Sequence, residues 1–173
     1  MSLAALQPTA WRVPVNRLDE TGRLFTWCVR TWVQGMSHRV DTGHEIRAAL
    51  AAHRAEDGLA HLDAFLMVLA TAARATIGVR LRRATMLGQD EIVLLRALDA
   101  AMDGNHELAE AVLDLVVGGT GRRLALTHLE RLAAVLTCGG LACSGLPRPE
   151  RQPAPVARGN VVRLGTGGRP DAA

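Results

Sequence analysis

Three histidines, His53, His61 and His128, are the residues best able to do chemistry in this chain. Each falls on or beside an apolar helical face: His53 behind Ile46, Ala49 and Leu50, His61 in line with Phe65, Val68 and Ala72, and His128 in line with Leu124, Leu132 and Val135. Imidazoles converging from three helices would make a metal site or an acid–base centre. No two of them have the four-residue spacing that puts ligands on one helix face, and neither HExxH nor ExxH occurs. The simpler reading is three hydrogen-bonded histidines at the margin of a core. Accordingly no catalytic residue, metal ligand or cofactor is assigned, and a small metal or acid–base enzyme stands as an alternative.

The other reactive types give less. Cys138 and Cys143 bracket a glycine-rich helix end with no second Cys or His pair nearby, and three cysteines make no disulfide framework. Glu107, Glu110 and Asp114 form one acidic stripe without a second carboxylate-rich helix, so they read as a solvated face with Arg122 and Arg123 near its end. There is no P-loop, no GxGxxG after a strand, no GxSxG and no Cys/His nucleophile pattern.

The elements that carry these residues are helices. The chain has 173 residues, 49% of them hydrophobic, but its aromatics are only Trp11, Phe25, Trp27, Trp32 and Phe65. A core built from Leu, Val and Ala favours close-packed helices over a sandwich. Periodicity and punctuation predict six helical segments. The first runs from about Arg17 to Met36 with Asn16 as N-cap. The second follows Thr42, with Glu45 at capping-box spacing, and runs to about Glu56. The third begins after Asp57-Gly58 and is apolar nearly all round, which predicts the central, enclosed helix. The fourth starts near Gln89 and stops at Gly104, the fifth starts behind Asn105 and stops at Gly118-Gly119, and the sixth is capped by Thr120 and ends at Gly139-Gly140. The expectation is an all-α fold: a single bundle-like domain of about six helices over residues 17–143, an N-terminal arm over 1–16, and a disordered Pro/Gly/Arg-rich C-terminal tail over 144–173.

All 20 basic residues are arginine, as expected from a GC-rich bacterial coding sequence. Residues 146–173 carry five arginines against Glu150 and Asp171, so the net charge of +3 belongs to the tail and the rest of the chain is neutral. A helix-turn-helix over residues 89–115 fails, because Asp103 occupies an apolar position and the acidic stripe would face phosphate. Nucleic acid is therefore an unlikely partner, with weak, salt-dependent binding through the basic tail as an alternative. Neither a signal peptide nor a membrane-spanning run is read, and a cytoplasmic protein is expected.

Two surfaces stand out as contacts. Trp27 lies on the polar side of the first helix, flanked by Arg23 and Arg30, the pattern of an interface anchor; a fold-back of the N-terminal arm over the ring would explain it equally. In the tail, Val161, Val162 and Leu164 make a small apolar knot around Arg163. The segment IGVRLRR, residues 77–83, alternates like a strand; it is expected either to pair with that knot or to form an irregular connection whose arginines balance nearby carboxylates. Together these features predict a non-enzymatic protein-interaction or regulatory module. Its partner would be an unidentified protein or a second copy in a homodimer.

Overall fold

The computed structural model describes residues 13–142 and 146. Within them the chain forms six α-helices: α1 Glu20–His38, α2 Gly43–Ala51, α3 Gly58–Ala72, α4 Gln89–Met102, α5 His106–Leu113 and α6 Gly119–Cys138. Two isolated antiparallel bridges, Pro14 with Met86 and Ala73 with Val117, are the only β-type pairing among the described residues. The fold is all-α. No helix among the described residues is long and apolar enough to cross a membrane.

Local chemistry sets the helix ends. Asp19, not Asn16, caps α1: its Oδ1 accepts from the Gly22 N–H at 2.8 Å, while Asn16 sits in a short 3-10 turn, Val15–Arg17. Asn105 caps α5 through the Leu108 N–H at 3.0 Å, as its position predicts. Thr42 precedes α2 without a side-chain cap bond, and Asp41 accepts from Gly43 N instead. The sixth helix starts two residues earlier than expected, with Gly118 in the cap position rather than Thr120.

Four helices close in the same way. A left-handed residue follows α1 (Arg39, φ 56°), α2 (Arg54, φ 55°), α4 (Gly104, φ 69°) and α6 (Gly140, φ 87°). In each, the next N–H bonds back five residues: Val40 to Gly35, Ala55 to Leu50, Asn105 to Ala100 and Leu141 to Leu136. This is the Schellman closure, which satisfies carbonyls that the helix end would leave orphaned. It also explains why α2 stops at Ala51, short of the expected Glu56. The turn at Arg54 swings Ala55 into the core.

Packing places α3 mainly against α6, α4 against α5 and α6, and α1 against α2 and α4. The enclosed helix is α4, not α3: Glu91, Ile92, Leu94, Leu95, Ala97, Leu98 and Ala100 are all buried. α3 buries one stripe, Leu62, Phe65, Leu66 and Leu69, and leaves Asp63, Met67 and Ala70 outside. Its apolar far side is alanine and methionine, residues a helix can expose at small cost.

Residues 73–88 form an irregular connection, and it is fastened at both ends and in the middle. Arg74 N donates to Val116 O, Gly78 N to Asp90, Val15 N to Thr85 O and Leu87 N to Val13 O. The bridge partner of this connection is thus residues 13–15, the inner end of the N-terminal arm; Val13 is buried. The tail knot proposed as a partner lies outside the described residues.

Candidate functional site

The site forms where α1, α2 and the connection meet around Trp27. The indole is half-buried, and the Arg82 guanidinium lies 5.5 Å from its ring centroid. Arg82 is held there by Glu45 of α2, Nη1 to Oε2 at 2.8 Å. A cation over an indole face is attracted by the ring quadrupole, so the ring and the connection brace each other. The expectation that the arginines of residues 77–83 balance carboxylates holds for Arg82. Beside the ring opens a cleft of about 400 Å³ with apolar walls from Val15, Leu24, Ala49 and Ala84. Its polar rim is Arg23, Glu20 and His53. Arg23 is exposed and donates from Nη1 to Leu18 O, and His53 Nδ1 lies 3.7 Å from Glu20.

Arg30 does not share that surface. It is 2% exposed and faces Glu91, itself 3% exposed. Its Nε and Nη2 donate to Glu91 Oε1 and Oε2 at 2.7 and 2.9 Å, while Nη1 and Nη2 also donate to Ala84 O and Met86 O. The reason is length: on the helical wheel Arg30 points to the polar side, but its stem carries the guanidinium under the connection, where four acceptors wait. Arg30 is a structural floor beneath the Trp27 cleft, not a contact residue. The partner carboxylate was not legible. Glu91, three residues into α4 after Gly88, reads as a local capping group, and it does accept from Gly88 N; nothing in its spacing announces a partner 61 positions away.

Of the three histidines, two come together. His61 of α3 and His128 of α6 have ring centroids 6.3 Å apart with planes tilted by 33°. His128 Nδ1 is buried without a hydrogen-bond partner among the described residues. Burial, then the neighbouring His61 and Arg131, hold His128 below the ordinary histidine range. His53 lies in the Trp27 cleft instead, so the three do not form one centre. The described residues contain no group of three or more His, Cys, Asp or Glu side chains placed to hold a metal ion. Cys28 is buried and its thiol is pushed up to about 12 by desolvation, whereas Cys138 is exposed.

Two members of the acidic stripe, Glu110 and Asp114, are ion-paired. Asp114 accepts from Arg74 at 2.8 Å and from Arg122 at 2.7 Å, and Arg122 also reaches Glu110 at 3.1 Å. A second groove, of about 430 Å³, escaped the sequence reading altogether. It lies between α1, α2 and the start of α3, lined by Trp32, Met36, Val40, Ile46 and Leu59 with Asp41, Asp63 and Arg47 at its polar edge. Trp32 and Met36 share an apolar arc of α1 with Phe25 and Val29, a spacing that predicts a core-facing stripe. Trp32 is instead half-buried, its Nε1 donating to Asp63 at 2.8 Å, and Met36 is 55% exposed.

The tail residues Val161, Val162 and Leu164 lie outside the described residues. Comparison with family models, with curated proteins and with solved structures finds no match to this chain.

Proposed function

We propose that this chain is a non-enzymatic protein-interaction module whose helical domain presents the Trp27 cleft to a partner. The observation that carries the reading is the half-buried Trp27 beside an open apolar cleft, under an arginine that is fixed by an ion pair. An aromatic ring held in place before binding loses little freedom on contact, which is what makes such rings energetic anchors. The rim suggests the partner's chemistry. Exposed Arg23 and the apolar walls of Leu24, Ala49 and Ala84 suit a segment that presents an apolar side chain next to a carboxylate.

The test is a cross-linked pull-down from the native cell with three full-length baits: wild type, Trp27→Ala and Arg23→Glu. Thermal melts of the baits establish that each is folded. A partner captured by wild type and lost by both variants supports the reading. A partner retained by both variants, or none beyond copies of the chain itself, sinks it.

A further inference from the structure

We propose that the groove between α1, α2 and α3 is a docking site for this chain's own segment Val161–Leu164, so that the tail folds back onto the domain that carries it. The proposal does not depend on the Trp27 reading.

The groove gathers large apolar side chains that the described residues leave uncovered. Met36 and Val40, 55% and 60% exposed, both line it, next to Trp32, Ile46 and Leu59. Exposed large apolar residues scattered singly are ordinary, but a concave cluster rimmed by charge marks an interaction surface. The groove is wide enough, at about 430 Å³, for a few aliphatic side chains.

Charge selects the occupant. Asp41 and Asp63 at the edge outnumber Arg47, and both carboxylates are exposed. The Trp27 cleft has the opposite balance, with Arg23 and Arg82 against Glu20. The chain's net charge of +3 resides in residues 146–173. Within that stretch only Val161, Val162 and Leu164 form an apolar cluster, and Arg163 stands among them. Seating the three aliphatic side chains in the groove brings Arg163 to an acidic edge. The N-terminal segment Leu3–Leu6 is a poorer fit, since it carries no cation and its chain enters the body at Val13–Val15, on the Trp27 side.

Reach is sufficient. Leu146 packs against the core, so the tether starts at the domain surface. Fourteen residues lie between it and Val161, a tether that spans up to about 50 Å extended, against a radius of gyration of about 14 Å for a folded body of this size. A tether of that length gives a local concentration near the millimolar range, enough for a small apolar contact to be populated.

The experiment compares the full chain with its Val162→Asp/Leu164→Asp variant by amide exchange and by the Trp32 indole N–H resonance. The expected result is exchange several-fold faster at amides of residues 39–44 in the variant and a shifted Trp32 signal, both independent of protein concentration. The same comparison in a Met36→Asp/Val40→Asp background, which alters only exposed side chains, is expected to show no difference. Identical exchange and an unmoved Trp32 signal in the first comparison would overturn the proposal. So would a difference that grows with concentration alongside a dimer in sedimentation, which would give the groove to a second copy. Effects produced by Leu3→Asp/Leu6→Asp and not by the tail variant would overturn it in favour of the N-terminal segment.

Discussion

Arg30 and Glu91 form a buried, bidentate ion pair beneath the connection between α3 and α4. Each carboxylate oxygen of Glu91 accepts twice, Oε1 from Arg30 Nε and the Arg80 N–H, Oε2 from Arg30 Nη2 and the Gly88 N–H. The pair therefore holds four stretches of chain at once: α1, α4, and the connection on both sides of Ala84.

Breaking a buried pair leaves an uncompensated charge and costs roughly 3–5 kcal/mol, a large share of the about 5–15 kcal/mol that holds a domain together. Arg30→Met is expected to lose that much in denaturant unfolding. Replacing a buried pair by apolar side chains is often neutral elsewhere. Here Arg30→Met/Glu91→Leu is expected to stay as unstable as the single variant, because Ala84 O, Met86 O, Arg80 N and Gly88 N all lose a partner, each worth about 1–3 kcal/mol if left dry. A double variant close to wild type would show that water reaches those groups.

Two helix closures place arginine where glycine fits best. Arg39 and Arg54 adopt φ of 56° and 55°, a conformation that costs an L-residue roughly 1–2 kcal/mol. Glycine removes that strain but adds freedom to the unfolded chain. Arg39→Gly and Arg54→Gly are each expected to raise stability by about 0.5–1 kcal/mol, read as a higher denaturation midpoint at unchanged slope.

Gly35 is fixed by close approach. A Cβ there would stand 2.6 Å from Thr42 Oγ1 and 2.8 Å from Val40 O, inside the tight α1–α2 turn. Gly35→Ala is expected to cost about 1–3 kcal/mol as the turn is forced open, in spite of alanine's better helix propensity. The midpoint of unfolding checks it, and a neutral result would mean the turn yields freely.

Two histidines should give opposite pH slopes. His106 Nδ1 lies 2.7 Å from Glu130 Oε1, and that bond and charge raise its pKa. Its stabilisation is complete below the unfolded value of about 6.5 and is lost as pH rises through the raised folded value. His128 is shifted down by burial, so its neutral form is the one the fold accepts; its contribution is present above about 6.5 and is lost as pH falls through the lowered value. The stability gap between wild type and His106→Gln should narrow with rising pH, and that for His128→Gln with falling pH. Imidazole NMR titrations of the native protein give the two folded values directly.

Thiol reactivity should split. The thiolate is the nucleophile, and Cys28, with its pKa near 12, holds almost none at neutral pH. With Cys143 replaced by alanine, a disulfide reagent is expected to label Cys138 at once and Cys28 only on denaturation. Rapid labelling of both would place Cys28 in a region that opens easily.

The parts of the fold written in local signals were legible. Gly104 and Asn105 stop one helix and start the next where their conformational and capping preferences say, and α4 begins at Gln89 as its pattern predicts. What failed depends on partners remote in sequence. Periodicity assigns Met36 to the apolar face of α1 but does not say where along the helix the cover ends; Phe25 and Val29 are buried, whereas Met36 stays 55% exposed among the described residues. The all-round apolar pattern of α3 marked it as enclosed, yet the burial went to α4, whose Glu91 hides a charge only because Arg30 meets it. In the candidate site, spacing on α1 sets Arg23 and Arg30 beside Trp27, but Arg30 is buried against Glu91 and the arginine that stacks on the ring, Arg82, comes from another segment.

The fastening of residues 13–15 to residues 85–87 has a consequence for synthesis. A chain made from its N-terminus carries Arg30 and Val13 into solution well before Thr85, Leu87 and Glu91 exist to receive them. The first helix therefore cannot be locked until the fourth has emerged from the ribosome, and the N-terminal third must wait, with its guanidinium in water, for the middle of its own message to be read.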